Sequence, residues 1–251
     1  MNIRTFCVLL LAGTFWSINS IVIIVPGTWS VSASWHQPGG DFFDILQQNY
    51  APESVFTFCW SGKNNHDARI VASRNLATLL NQFPIVTLVT HSHGTNVALL
   101  AINMLAEQDS QTRIPMLYAL ATPVASNDYI PNMNYIGHLV HLFSFSDTIQ
   151  TMVSGYERVF TPHPRITNLA VLYNRKEPNH SEIHSPLCAR WLPYLNQYIT
   201  PGQDGVLQLS SNHNPELIID DSFAVSVDLD QWLQQQISIG FWKFVRSKKN
   251  E

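Results

Sequence analysis

Six apolar runs constrain the fold of this chain more than any other feature. "SIVIIVPGTWS" begins at Ser20, and its continuous β-branched stretch stops at Pro26-Gly27. "SVFTFCW" (54–60), "PIVTLVT" (84–90), "PMLYALA" (115–121), "HLVHLFSF" (138–145) and "TNLAVLY" (167–173) follow. Runs that are apolar on both faces suit strands buried in a parallel sheet. Between them lie stretches with helical spacing: "GDFFDILQQNY", "HDARIVASRNLATLLNQF" and "GTNVALLAINMLAEQ". Strand alternating with helix predicts an α/β fold, a mostly parallel sheet with helices on both faces. The six strands and their helices fill residues 21–199, one domain with little or no room for a lid. From Pro201 the pattern loosens into a hairpin or loose strands and a short helix, so 200–251 is expected to be a C-terminal extension packed on or extending from the domain.

Residues 1–20, "MNIRTFCVLLLAGTFWSINS", have one arginine, an apolar stretch from Thr5 to Trp16 and then small polar residues. That layout predicts a signal peptide and an exported protein, periplasmic or secreted. The alternative is an uncleaved membrane anchor from Phe6 to Val25, about as long as a span requires. Of three cysteines, Cys7 would leave with a signal, and Cys59 and Cys188 are read as buried thiols, with a disulfide between them as the alternative. Charged residues make up only 13% of the chain and the net charge is -4. That balance excludes a nucleic-acid partner, and no glycine-rich phosphate loop or dinucleotide fingerprint indicates a cofactor. The basic, aromatic tail "FWKFVRSKK" is expected to pack or fray, with contact to a membrane surface as the alternative.

The chemistry concentrates at Thr90-His91-Ser92-His93-Gly94, between an apolar strand and an apolar helix. Ser92 at that corner is either a helix N-cap or a nucleophile. A nucleophilic serine needs a base, a group that orients the base, and donors for an oxyanion. Displaying it at the top of a sheet requires a sharp turn flanked by small residues.

On this motif the chain resembles the α/β-hydrolase superfamily, with T-H-S-H-G where that family has G-x-S-x-G. The family's strand ending His-Gly-x is matched here by Pro26-Gly27-Thr28. The resemblance implies that the backbone N–H groups of Thr28 and His93 form the oxyanion hole. It also implies the chain order serine, acid, histidine, each just after successive strands. Asp147 follows "HLVHLFSF" and His180 follows "TNLAVLY", so the implied triad is Ser92, Asp147 and His180. Asp128 is the competing acid and His184 the competing base. His180 and His184 stand at i, i+4, as metal ligands can. The glutamate is one position too late for a zinc-protease motif and no third ligand is indicated, so no metal is expected. His138 and His141 are read as satisfied core or edge histidines.

The resemblance implies a serine esterase or lipase acting on a small-molecule or lipid ester. The alternatives are an acyltransferase with the same triad and a non-catalytic hydrolase-fold protein that binds a lipid or a partner. Trp29, Trp35, Phe42, Phe43 and Trp60 lie near the expected mouth. Trp29 and Trp60 are taken as substrate-binding, against the plainer reading of core aromatics beneath a loop.

Overall fold

The structure is a computed structural model and describes residues 21–51, 54–150, 157–219, 222–224, 226–228 and 230. The six apolar runs form β1 (Ile21–Val25), β2 (Val55–Thr57), β3 (Ile85–His91), β4 (Arg113–Leu120), β5 (Ile136–Phe143) and β6 (Ile166–Tyr173). Helices α1 (Asp41–Asn49), α2 (His66–Leu80), α3 (His93–Glu107) and α4 (Pro186–Trp191) lie between or after them. Two further strands, β7 (Gly205–Leu209) and β8 (Glu216–Ile218), complete an eight-stranded sheet in the order β2-β1-β3-β4-β5-β6-β7-β8. Every pairing is parallel except that of β7 with β8.

The expected α/β class therefore holds, and the period-2 side-chain alternation of the strands explains it. Ile23, Val25 and Leu88 face one way, into a core shared with Leu76 and Leu80 of α2 and Leu99 and Ile102 of α3. Val22, Ile24 and Val89 face the other way, onto Phe42 and Leu46 of α1 and Ala189 of α4. Both faces of the sheet are thus dry, as continuous apolar strands require.

The strand order reverses between β1 and β3. The chain leaves β1 toward α1 on one face and leaves β3 toward α3 on the other. Two neighbouring strands whose connections diverge leave a crevice beyond their carboxyl ends, where open α/β sheets bind ligands. The loop after β1 carries Thr28, and the turn after β3 carries Ser92.

After Pro201, β7 and β8 form an antiparallel pair; β7 also pairs with β6, and Leu207 and Leu209 are buried in the same core as Val22 and Leu169. One expectation is corrected: Cys188 is a buried free thiol but Cys59 is an exposed one. The terminal segment 1–20 lies outside the described residues, and among those described no helix is long and apolar enough to cross a membrane.

If β7 is part of one cooperative core, Leu207→Ala should destabilise the whole domain. The expected loss is about 2–5 kcal/mol, because the cavity is not refilled. Urea unfolding followed by tryptophan fluorescence should show one transition moved to lower denaturant; a separate early transition, with the main one unmoved, would contradict this.

Candidate active site

Ser92 sits between β3 and α3 with φ 53° and ψ -133°, a backbone conformation that L-residues rarely adopt. Its amide is fastened to Leu120 O at 2.8 Å, and Ser92 O accepts from Thr95 N at 3.1 Å. Its side chain makes no capping hydrogen bond to α3, which removes the helix-cap reading. The tightness of the turn explains the glycines. A Cβ on Gly27 would stand 2.7 Å from Ser92 Cβ, and one on Gly94 would stand 2.6 Å from Pro26 O and closer still to Val25 O.

Thr90, where the resembling family has glycine, contributes a hydroxyl instead. Thr90 Oγ1 donates to Tyr118 O at 3.0 Å and lies 2.8 Å from Thr95 Oγ1, which lies 2.6 Å from Thr122 Oγ1. With one proton per hydroxyl, the donation runs Thr122 to Thr95 to Thr90 to Tyr118 O. The chain ties the elbow to the end of β4.

Asp147 and His180, far apart in sequence, meet at the same edge of the sheet. His180 Nδ1 donates to Asp147 Oδ2 at 2.7 Å. The carboxylate is 1% exposed, and its other oxygen, Oδ1, accepts from Gln150 N at 3.1 Å. Asp147 is therefore both the partner of the imidazole and the cap of its own turn. With Nδ1 donating, the Nε2 of neutral His180 carries a lone pair.

His91 holds His180 from the other side: its Nε2–H donates to His180 O at 3.1 Å, and the two rings lie 4.8 Å apart. His180 also bears electrostatically on His93. The imidazole is thus held against His91, the residue before Ser92. His93 opens α3, in the turn whose N–H groups point out of the helix end. Among the described residues no acceptor takes the Thr28 N–H, and the loop that presents it is pinned by His36 Nε2 donating to Ser30 O at 2.7 Å.

The competitors are placed elsewhere. Asp128 is exposed on the loop after β4. His184 stacks on Trp35, ring centroids 4.1 Å apart, and edges against His91. His180 and His184 are not on one helical face, because residues 182–184 form a 3-10 turn. The described residues hold no group of three or more His, Cys, Asp or Glu arranged for a metal ion. His138 bonds Thr167 Oγ1 at 2.9 Å, whereas fully buried His141 lies 3.4 Å from Asn168 Oδ1 and leaves its Nε2 unpartnered.

The aromatics divide. Trp29 is 76% exposed at φ 58°, its N–H held by Gly62 O at 3.0 Å. Trp60 is instead in the core and donates its indole N–H to Pro26 O at 2.8 Å, so it supports the Thr28 loop from beneath. Phe42 and Phe43 are also core residues. A cavity of about 640 Å³ opens on the flank of the base loop, lined by Tyr173, Lys176, Glu177, Glu182 and Arg190 among others; Ser92 does not line it.

Two residues missed in the sequence complete the acid loop. Gln150 Nε2 donates to Thr122 O at 2.6 Å and to Arg158 O at 2.9 Å. Arg158 donates from Nη1 to Asp147 O at 2.6 Å and Ser144 O at 2.9 Å. Neither belongs to a motif, and these bonds go to main-chain atoms, which leave no sequence pattern.

A mostly parallel sheet with a serine on a strained strand-to-helix turn at its carboxyl edge is the α/β-hydrolase fold. No protein-family model and no curated protein matches the chain. Among solved structures it is similar to RedJ with a PEG molecule bound in the active site (12% identity, TM-score 0.38, covering 77% of this chain and 80% of that one). It is also similar to the Pyrobaculum calidifontis esterase (10%, 0.38, 90% and 77%) and to an arylesterase (10%, 0.36, 86% and 73%). Strand order and elbow carry the fold.

The buried imidazoles make stability depend on pH. Burial foremost, then the nearby His180 and His36, brings His184 down to about 4 against a backbone hydrogen bond that raises it. Burial, Arg69 and His180 bring His93 to about 3, and burial followed by His184 and His180 lowers His91 well below its ordinary value. These groups stay neutral in the fold while the unfolded chain takes up protons near 6.5. Stability is therefore complete above about pH 6.5 and falls as pH drops toward 4. His184→Phe, which keeps the stacking on Trp35 but cannot be protonated, should recover about 3 kcal/mol of that loss. Urea midpoints at pH 7 and pH 4 check this; an identical drop in wild type and variant would contradict it.

Proposed function

We propose that this chain is a serine hydrolase of carboxylic esters, acting through an acyl-enzyme with Ser92 as nucleophile, His180 as base and Asp147 as the acid that orients it. The observation that carries the reading is the 2.7 Å Asp147–His180 hydrogen bond, at the sheet edge where Ser92 is held in a strained turn. Asp147 fixes the tautomer in which Nε2 can accept the Ser92 proton as Oγ attacks the ester carbonyl. The tetrahedral oxygen takes up negative charge between the N–H groups of Thr28 and His93. His180 returns the proton to the departing alcohol. A water deprotonated by the same imidazole then hydrolyses the acyl-serine, and Ser92 is regenerated.

The exposed indole of Trp29, on the loop that carries Thr28, supports an ester with an apolar acyl group. A flat apolar surface beside the reacting carbonyl gains free energy when an acyl chain covers it.

Ser92→Ala should abolish labelling by a fluorophosphonate probe and lower kcat/KM for a p-nitrophenyl ester by at least about 1000-fold. Asp147→Asn should lower kcat by about 10⁴-fold with little change in KM, because the wrong tautomer is favoured. A p-nitrophenyl series from acetate to decanoate locates the preferred chain length. Wild-type protein that neither labels nor cleaves any member of the series would sink the proposal.

A further inference from the structure

Arg158 is buried, with a side-chain exposure of 0%. A guanidinium out of water is costly unless its charge is paired and its N–H groups are bonded. Its Nε and Nη2 grip Asp230 at 2.7 and 3.1 Å, a two-pronged pair with the carboxylate. Its Nη1 points the other way, to Ser144 O and Asp147 O, with Gln150 Oε1 at 3.4 Å. The bond to Asp147 O is made to the main chain of the residue that orients His180. Gln150, bonded to Thr122 O, continues the network to the threonine chain that ties down the elbow.

Asp230 comes from the far C-terminal part of the chain. Residues 222–224, 226–228 and 230 are helical. Phe223 and Val227, one helical turn apart, are buried against Phe143 and Ala170. Phe143 is the last residue of β5, where the acid loop begins. The segment is therefore docked by apolar contacts at the root of that loop and by an ion pair at its crown.

We propose that Asp230 is a positioning residue for the Ser92–His180–Asp147 site, an inference that rests on the hydrolase reading above. By neutralising and orienting Arg158, it fixes the main chain of the acid loop and so the angle at which Asp147 meets His180. The C-terminal segment thus completes the active site without touching substrate.

Asp230→Asn keeps the shape of the side chain and removes its charge. Three readouts follow it: kcat and KM on a p-nitrophenyl ester, the far-downfield proton resonance of the His180–Asp147 hydrogen bond, and near-ultraviolet circular dichroism for the fold. The expected result is kcat lower by about 10–100-fold, the scale of a small misplacement of a reacting group, with KM within about two-fold. The downfield resonance should broaden or vanish while the dichroism spectrum is kept. Asp230→Glu, which restores the charge, should recover most of kcat. Wild-type kcat and an unmoved resonance in Asp230→Asn would overturn the proposal, as would loss of the whole fold in both variants or an effect confined to KM. The resonance reports on the Asp147–His180 bond in the absence of any ester activity. Failure of the hydrolase reading, seen in the wild-type protein, is therefore distinct from failure of this one.

Discussion

The backbone of Ser92, at φ 53° and ψ -133°, is the constraint around which the site is built. A non-glycine residue in such a region costs about 1–3 kcal/mol and persists only where its surroundings over-determine it. Here they do. Gly27 lies against the Ser92 Cβ, Gly94 lies against the carbonyls of Val25 and Pro26, and the Thr122–Thr95–Thr90 chain fastens the first turn of α3 to the sheet. β1 and β3 must be neighbours for this to happen, and their parallel register from Ile21↔Val86 to Val25↔Thr90 brings the two loops level. The layered fold is what makes the strained turn possible, and the strained turn keeps the hydroxyl from serving as a helix cap.

At the same sheet edge Asp147 and His180 are each held by more than one bond. Asp147 uses one carboxylate oxygen for His180 and the other for Gln150 N. His180 is held at its ring by Asp147 and at its carbonyl by His91. His91 can donate from Nε2 only in one tautomer, and its burial keeps it neutral, so it acts as a fixed strut. Rigid placement of this kind suits the proton transfer proposed for His180, since no reorganisation is needed as charge appears on the imidazole.

Much of this was legible in the sequence because it is local. Strands buried on both faces leave unbroken apolar runs, and the runs at 84–90 and 167–173 match β3 and β6 to within a residue or two. The turn at Ser92 was legible because a strand, a small residue and a helix stand in immediate succession. What was illegible is tertiary. β7 reads only as a short alternating stretch, and nothing in "GVLQL" says that its partner is β6, more than thirty residues earlier. Trp60 and Trp29 have the same apparent claim on a substrate as sequence letters, yet one is core and the other is displayed, because only Trp60 has Pro26 O within reach of its indole. Arg158 and Asp230, separated by 72 positions, are paired by the fold alone.

The most direct test is a crystal structure of the protein after reaction with a small alkyl phosphonate. The account expects a single covalent adduct on Ser92 Oγ, with the phosphoryl oxygen within hydrogen-bonding distance of the Thr28 and His93 amides and His180 still bonded to Asp147. An adduct on another residue, or one on Ser92 whose oxygen points away from both amides, would contradict it.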